Sequence, residues 1–176
     1  MKRLPLLFSI LLTYLFFALA FGAVAAEDGH QPPSGKPSPT PAPRFVDAND
    51  GTVTDKLTGL VWLKNANCFG ARSWEDAISV AGSLASGQCG LHDGSKPGQW
   101  RLPSGEELNS LTNIQKADSS VWLNQQGFSK VQSNYYWTSS ESNYGNAMFV
   151  DLCFGGIYRA VTTIPNFVWP VRGGQN

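Results

Sequence analysis

The nine residues Trp100-Arg101-Leu102-Pro103-Ser104-Gly105-Glu106-Glu107-Leu108 constrain this chain more than any other stretch. Pro103 fixes its own φ near the helical value and disfavours the α region for Leu102, so the chain arrives extended and leaves helical. Ser104 is placed to cap that helix. Its hydroxyl can accept the Glu107 N–H while the Glu107 carboxylate reaches back to the Ser104 N–H, the reciprocal S-x-x-E box. Glu106 and Glu107 also lie in the first turn, where the helix dipole is positive. Trp100 anchors the arriving segment, and Arg101 reads as a semi-buried partner for an acidic residue.

The start of the chain sets the compartment. Lys2 and Arg3 precede an apolar run from Leu4 to Phe21 and the small residues Gly22-Ala23-Val24-Ala25-Ala26, the charged, apolar and cleavable regions of a signal peptide. Ala23-x-Ala25 places cleavage before Ala26, the alternative being an uncleaved anchor. No Cys follows the run, which removes the basis for a lipid anchor. Without Lys2 and Arg3, 11 basic residues stand against 13 acidic ones, a formal charge of −2. That balance argues against a nucleic-acid partner, which needs a basic footprint. The expected location is exported, either periplasmic or at the cell surface, with no membrane insertion after cleavage.

Residues 27–43 hold six Pro among seventeen positions and no large apolar side chain, so they read as an extended linker. The domain is residues 44–176. All six Trp lie beyond residue 60, so this segment carries the core. Phe45–Asp47 and Thr52–Asp55 flank an Asn49-Asp50-Gly51 turn and form a hairpin. Asp47, Asn49 and Asp50 suggest a calcium loop, but Gly51 comes one position early and Thr58 stands where the bidentate Glu belongs. Leu60–Leu63 is a short buried strand. Ser73 caps a helix to Leu84, with Asp76 as box partner and Trp74, Ala77, Ile78, Ala81 and Leu84 on its apolar stripe. Residues 86–99 form a surface loop, and the Ser104-capped helix runs to about Thr112, burying Leu108 and Leu111.

Val121, Trp122, Leu123 and Phe128 are expected to plug the core from irregular or short helical segments. Tyr135–Ser139 is a strand. Alternation of Met148, Val150, Leu152 and Phe154 with Phe149, Asp151 and Cys153 predicts a half-buried strand from Ala147 to Phe154. Gly155-Gly156 reads as a two-residue turn into the strand Ile157–Val161. Phe167–Arg172 closes the chain, bent or at an edge where Pro170 cannot donate. The expected class is α+β: two helices packed on a mainly antiparallel sheet that joins the N- and C-terminal strands. Cys68, Cys89 and Cys153 allow three single pairings in an oxidising compartment. Cys68–Cys89 is favoured because it ties the loops at the two ends of the first helix. Three unpaired thiols are the alternative.

Five ordered blocks together resemble a known family. They are Asp50-Gly51-Thr52-Val53-x-Asp55-x-x-Thr58-Gly59-Leu60-x-Trp62, Trp74-Glu75-Asp76-Ala77, Trp100-Arg101-Leu102-Pro103-x-x-x-Glu107-Leu108, Tyr136-Trp137-Thr138-Ser139-Ser140 and Val171-Arg172. In that order they resemble the C-terminal domain of collagen-like adhesins, Lcl_C. The resemblance implies a C-type-lectin-like α+β fold on secreted or surface proteins, with an adhesin member that engages sulfated glycans. Such domains often carry a Cys in the first helix and another before the final Val-Arg. Here Ser79-Val80-Ala81 and Pro170 stand there, which would make Cys68 and Cys89 this chain's own staple. Trp169 replaces an arginine, removing an anion contact at that place. Calcium-lectin Glu-Pro-Asn and Trp-Asn-Asp ligands are absent, so calcium-dependent sugar binding is not implied. The Trp-Arg-Leu-Pro block also resembles formylglycine-generating enzymes, but their reactive cysteine pair has no counterpart here.

The residues do not favour an enzyme. His92 is the one histidine after the linker, and no nucleophile elbow, phosphate loop or zinc motif occurs. Glu107 is explained by capping, and Cys153 reads as a packed strand thiol. No cofactor or metal ligand set is expected. A binding module fits better, with Asn143, Tyr144 and Asn146 in the loop 139–146 and Arg159 on the next strand as candidate ligand-binding residues. Amides and an aromatic face suit stacking and hydrogen bonding to sugars. The expected function is adhesion or glycan binding without calcium. The alternative is a structural or oligomerising envelope domain with a protein partner, and a homo-oligomer stays open.

Overall fold

The computed structural model describes residues 42–113, 115, 118–143 and 145–173. The expected signal peptide and nearly all of the expected linker lie outside these residues. The described part is α+β, with strands β1 (Phe45–Asp47), β2 (Thr52–Asp55), β3 (Val61–Leu63) and β4 (Ala71–Arg72) preceding helix α1 (Trp74–Ser83). Helices α2 (Gly105–Asn109) and α3 (Ser119–Asn124) follow, then β5 (Tyr135–Ser142), β6 (Asn146–Asp151), β7 (Ile157–Val161), β8 (Asn166–Phe167) and β9 (Val171–Arg172).

These strands make two sheets where one was expected. The first has the order β1-β2-β3-β9 and the second β4-β8-β5-β6-β7. Pro170 is the reason. It interrupts the strand expected over Phe167–Arg172, so β8 before it pairs with β4 and β5, while β9 after it pairs with β3. The terminal strands still meet in one sheet, as the sequence predicts. Every pairing between these named strands is antiparallel except β5 with β8.

The capping box appears as read. Ser104 Oγ accepts the Glu107 N–H at 3.1 Å and Glu107 Oε2 accepts the Ser104 N–H at 2.7 Å. On α1, Ser73 accepts from the Asp76 N–H, but no return bond from Ser73 to the shorter Asp76 side chain forms. Trp74, Ala77, Ala81 and Leu84 are buried, whereas Ile78 is 42% exposed. At about 100° per residue Ile78 falls at the margin of that stripe. Among the described residues the helix count rises from two to three, because Asp118 caps α3 through the Ser120 N–H. Leu123 and Phe128 plug the core, Trp122 is half-buried, and Val121 faces solvent.

Two apolar clusters result. The larger contains Trp62, Trp100, Leu108, Leu111, Leu123, Tyr136, Val150 and Trp169, and the smaller Trp74, Ala77, Ala81, Leu102, Trp137, Ala147 and Val168. Adjacent β5 residues Tyr136 and Trp137 enter different clusters, as the pleat requires. Burial pushes the Tyr136 phenol above its ordinary pKa. Trp169 is a core residue: its indole N–H donates to the Leu63 carbonyl at 2.7 Å.

Polar ties hold the domain's margins. Cys68 and Cys89 are bonded across 21 positions, as favoured from the sequence, which stabilises by about 3 kcal/mol in the chain-entropy view. The loop carrying Cys89 passes directly over the first hairpin. A Cβ on Gly51 would collide with the Gly90 carbonyl, so only glycine fits that turn, whose φ is +88°. Arg44 grips Asp55 with two bonds of 2.9 and 2.7 Å and donates to the Ser110 carbonyl at 3.1 Å. Burial pushes the Asp55 carboxyl up, but Arg44, the Leu57 N–H and the Thr58 hydroxyl outweigh it and hold the pKa below the ordinary value. Arg172 approaches Asp93 at 3.1 Å, yet Arg172 Nε and Asp93 Oδ2 lack aligned hydrogen bonds, so that contact is coulombic.

Arg101 joins the parts. Its backbone pairs with Val171 through bonds of 3.0 and 2.9 Å. Its guanidinium binds Glu107 at 2.7 and 2.8 Å and the Gly173 carbonyl at 2.9 Å. The Arg101 bond holds the Glu107 carboxyl below the usual range against the opposing effect of burial. With the folded pKa depressed, the ion pair's contribution is complete above the unfolded value and disappears as pH falls through the folded one. Glu107→Gln should therefore lower stability by about 1 kcal/mol near neutral pH. Denaturant curves across pH check this: the gap to wild type should narrow below about pH 4.5, and a gap unchanged at pH 3 contradicts the assignment.

Candidate functional site

The β5–β6–β7 part of the second sheet brings the candidate residues together. β5 and β6 pair from Tyr135↔Asp151 to Ser142↔Asn146, with a register irregularity between Trp137 and Glu141. β6 and β7 pair from Asn146↔Val161 to Val150↔Ile157. β7 is the edge strand.

Asn143 sits exposed in the β5–β6 turn, and its carbonyl accepts from Asn146 Nδ2 at 3.2 Å. Asn146 is half-buried and pairs with Ser142 on one side and Val161 on the other. One of its amide protons is thus committed to shaping the turn. Tyr144 lies outside the described residues. Arg159 is exposed on β7 opposite Met148, two positions along the same face from the Asn146–Val161 pair.

Arg159 lines an open cleft of about 410 Å³ with Ser142, Met148, Ile157 and Tyr158. A guanidinium, a hydroxyl and two aliphatic side chains at one opening can hold an anionic or hydroxyl-rich group against an apolar wall. The floor is fixed from behind. Thr138 Oγ1 donates to the Met148 carbonyl at 3.0 Å, and α2 brings Gly105 against Ile157, where a Cβ would sit 3.2 Å from the Ile157 side chain.

The opposite face presents aromatic rings that the sequence reading did not select. Tyr135, Phe149 and Tyr158 come from three adjacent strands, with ring centroids 4.9 Å apart for the first pair and 5.7 Å for the second. Tyr135 is 45% and Tyr158 51% exposed. Phe149 also meets Trp137 edge-on at 6.3 Å, so the row continues the smaller core cluster outward. The missing signal was register. A two-residue Gly155-Gly156 turn would set Tyr158 opposite Cys153, but pairing stops at Val150↔Ile157 and sets it opposite Phe149. The turn is longer because Asp151 Oδ1 accepts the Cys153 and Phe154 N–H groups, winding the chain out of the strand. Phe154 is consequently 80% exposed, where alternation predicts burial. Cys153 is a half-buried free thiol in that turn instead of a strand residue.

Among the described residues, no group of three His, Cys, Asp or Glu is arranged to hold a metal ion. Asp50, from the rejected calcium loop, is occupied by the Thr52 N–H and hydroxyl, and Asp47 by Lys64.

The family model described as the Lcl C-terminal domain matches residues 51–172. No curated protein matches the chain.

Because the outer rings are half in solvent, Tyr135→Ala and Tyr158→Ala should each cost about 1 kcal/mol or less, against about 3–5 kcal/mol for Trp137→Ala in the buried cluster. Urea denaturation of the three variants measures this. Equal losses would make the row part of the core.

Proposed function

The chain belongs to the Lcl C-terminal domain family, and on that premise we propose that it is an exported ligand-binding module that engages glycans without calcium. The Arg159 cleft carries this reading, since it joins a cation, a hydroxyl and an apolar wall in an open depression of about 410 Å³. Arg159 supplies a planar donor array to a carboxylate, sulfate or hydroxyl pair of a sugar. Ser142 adds a donor or acceptor, and Met148 and Ile157 cover the ligand's apolar edge. Asn143 and Asn146 set the turn at the cleft's end.

Export fits the Cys68–Cys89 disulfide, which persists in oxidising compartments. Among the described residues, no helix is long and apolar enough to cross a membrane. The C-type-lectin-like description and the adhesive role implied by the family resemblance belong to the same proposal. The union of β1 and β9 in one sheet supports the lectin-like reading. A second reading, a structural domain with a protein partner, is favoured by β7 itself: it is an edge strand with Ile157, Tyr158 and Val161 at 38, 51 and 52% exposure, which a partner strand could cover.

The test is binding of the purified chain to an array of glycans and sulfated polysaccharides, with calcium and with chelator. Selective binding that survives chelation and weakens about tenfold in Arg159→Gln is the expected result. Silence across the array from folded protein overturns the glycan reading and leaves the protein-partner one.

A further inference from the structure

We propose that β7 is a docking edge for an extended peptide strand that carries an acidic residue opposite Arg159, with an aliphatic residue two positions away on either side. This rests on the protein-partner reading of β7 and gives that partner its chemistry.

The backbone comes first. The Asp151 N–H donates to the Gly156 carbonyl at 3.2 Å and the Thr162 N–H to the Gly145 carbonyl at 3.3 Å. Both fit the register Phe149↔Tyr158, so Gly156, Tyr158, Ala160 and Thr162 turn their backbone groups toward β6. The residues between them, Ile157, Arg159 and Val161, turn theirs outward, where β7 has no neighbour in the sheet. The Val161 carbonyl accepts the Ile164 N–H at 3.3 Å. What is left for a further strand is the N–H of all three residues and the carbonyls of Ile157 and Arg159.

This open stretch is bounded at both ends. Gly156 has a φ of +96° and donates to Asn109 Oδ1 at 3.2 Å, while the Thr162 carbonyl accepts the Trp74 N–H at 2.9 Å. An incoming strand therefore lies along residues 157–161, an ordinary strand length.

The side chains come second. Ile157 and Val161 flank Arg159 on one face, and Tyr158 stands beside the small Ala160 on the other. A strand laid along them sets one side chain beside each, with Cβ atoms about 4.5–5.5 Å apart. Aliphatic residues beside Ile157 and Val161 cover apolar surface that is now in solvent. A carboxylate between them meets the planar donor fork of Arg159.

Charge comes third, and it chooses the partner. Among the described residues Arg159 takes part in no ion pair. The carboxylates of β5 and β6 are on the other face, Glu141 opposite Ala147 and Asp151 opposite Tyr135. On α2, Glu106 is engaged by the Ser104 hydroxyl at 3.1 Å. A second copy of the chain is the competing occupant. The antiparallel register that uses all three outward residues sets the two Arg159 side chains against each other, and like charges directly opposite are unfavourable. One guanidinium at the centre of the edge thus turns away its own copy and admits an acidic strand.

The experiment is titration of the isotope-labelled chain, followed by amide chemical shifts, with the peptide acetyl-Ser-Val-Thr-Glu-Thr-Val-Ser-amide, its Glu→Lys version and a version N-methylated at Glu. The variants are Arg159→Glu and Arg159→Gln, each checked for fold by circular dichroism. The acidic peptide should move the amide signals of Ile157, Arg159 and Val161, bind about tenfold or more tighter than the Lys version, and lose binding on N-methylation. Arg159→Glu should reverse the preference and Arg159→Gln remove it. Binding at these amides that ignores the peptide's charge overturns the acidic partner and leaves the partner-strand reading standing. No binding by any peptide overturns the inference. If the same amides then shift with the chain's own concentration, the edge belongs to a second copy, and if they do not, the partner-strand reading falls as well.

Discussion

The structure depends on how the segment from Trp100 to Glu107 is clamped. Pro170 divides the C-terminal segment between two sheets, so something must hold those sheets in register. Arg101 does so with its backbone, exchanging two hydrogen bonds with Val171 in the first sheet. Two residues later the Pro103 carbonyl accepts the Ser139 N–H of β5 at 2.7 Å, in the second sheet. Trp100 belongs to the larger apolar cluster and Leu102 to the smaller. One extended tetrapeptide thus contacts both sheets and both clusters. The Arg101–Glu107 pair then locks the segment to its own helix cap, which makes Glu107 both a capping residue and a counter-ion.

This clamp positions the candidate surface. β5 receives the Pro103 bond at Ser139, and Gly105 at the start of α2 is bonded by its N–H to Ser140 Oγ at 3.4 Å and rests on Ile157. β5, β6 and β7 are therefore backed by α2 on one face and, through Trp74 and Trp137, by α1 on the other. The Trp74 indole donates to the Thr138 carbonyl and the Trp137 indole to the Arg72 carbonyl, both at 2.8 Å. A sheet backed in this way holds the residues of its free edge in place at low conformational cost.

Much of this was legible in the sequence because it is local chemistry. The box Ser104–Glu107, the hairpin at Gly51 and the break at Pro170 each follow from a few neighbouring residues, and Cys68–Cys89, the favoured of three pairings, is the one that forms. Asn143 and Asn146 were expected in a loop over residues 139–146 with Arg159 beside it, but β5 runs to Ser142 and Asn146 opens β6, so only Asn143 stays in the turn, while Arg159 lines the cleft. What was not legible rests on long-range register. The second sheet, the exposure of Ile78 and Phe154 and the row Tyr135–Phe149–Tyr158 depend on which residues face one another across strands. Alternation gives the faces but not the partners. The Asp151 side chain, by winding the turn after β6, decided a pairing that the Gly155-Gly156 pattern suggested differently.

The central claim is that the segment 100–107 makes the two sheets a single cooperative unit. Native-state hydrogen exchange measures this most directly, read at the amides of Trp62, Arg101, Tyr136, Val150 and Val171. The account predicts one shared free energy of opening, equal to that of global unfolding. Exchange of Tyr136 and Val150 at clearly lower free energy than Trp62 and Val171 would contradict it, by showing that the second sheet opens alone.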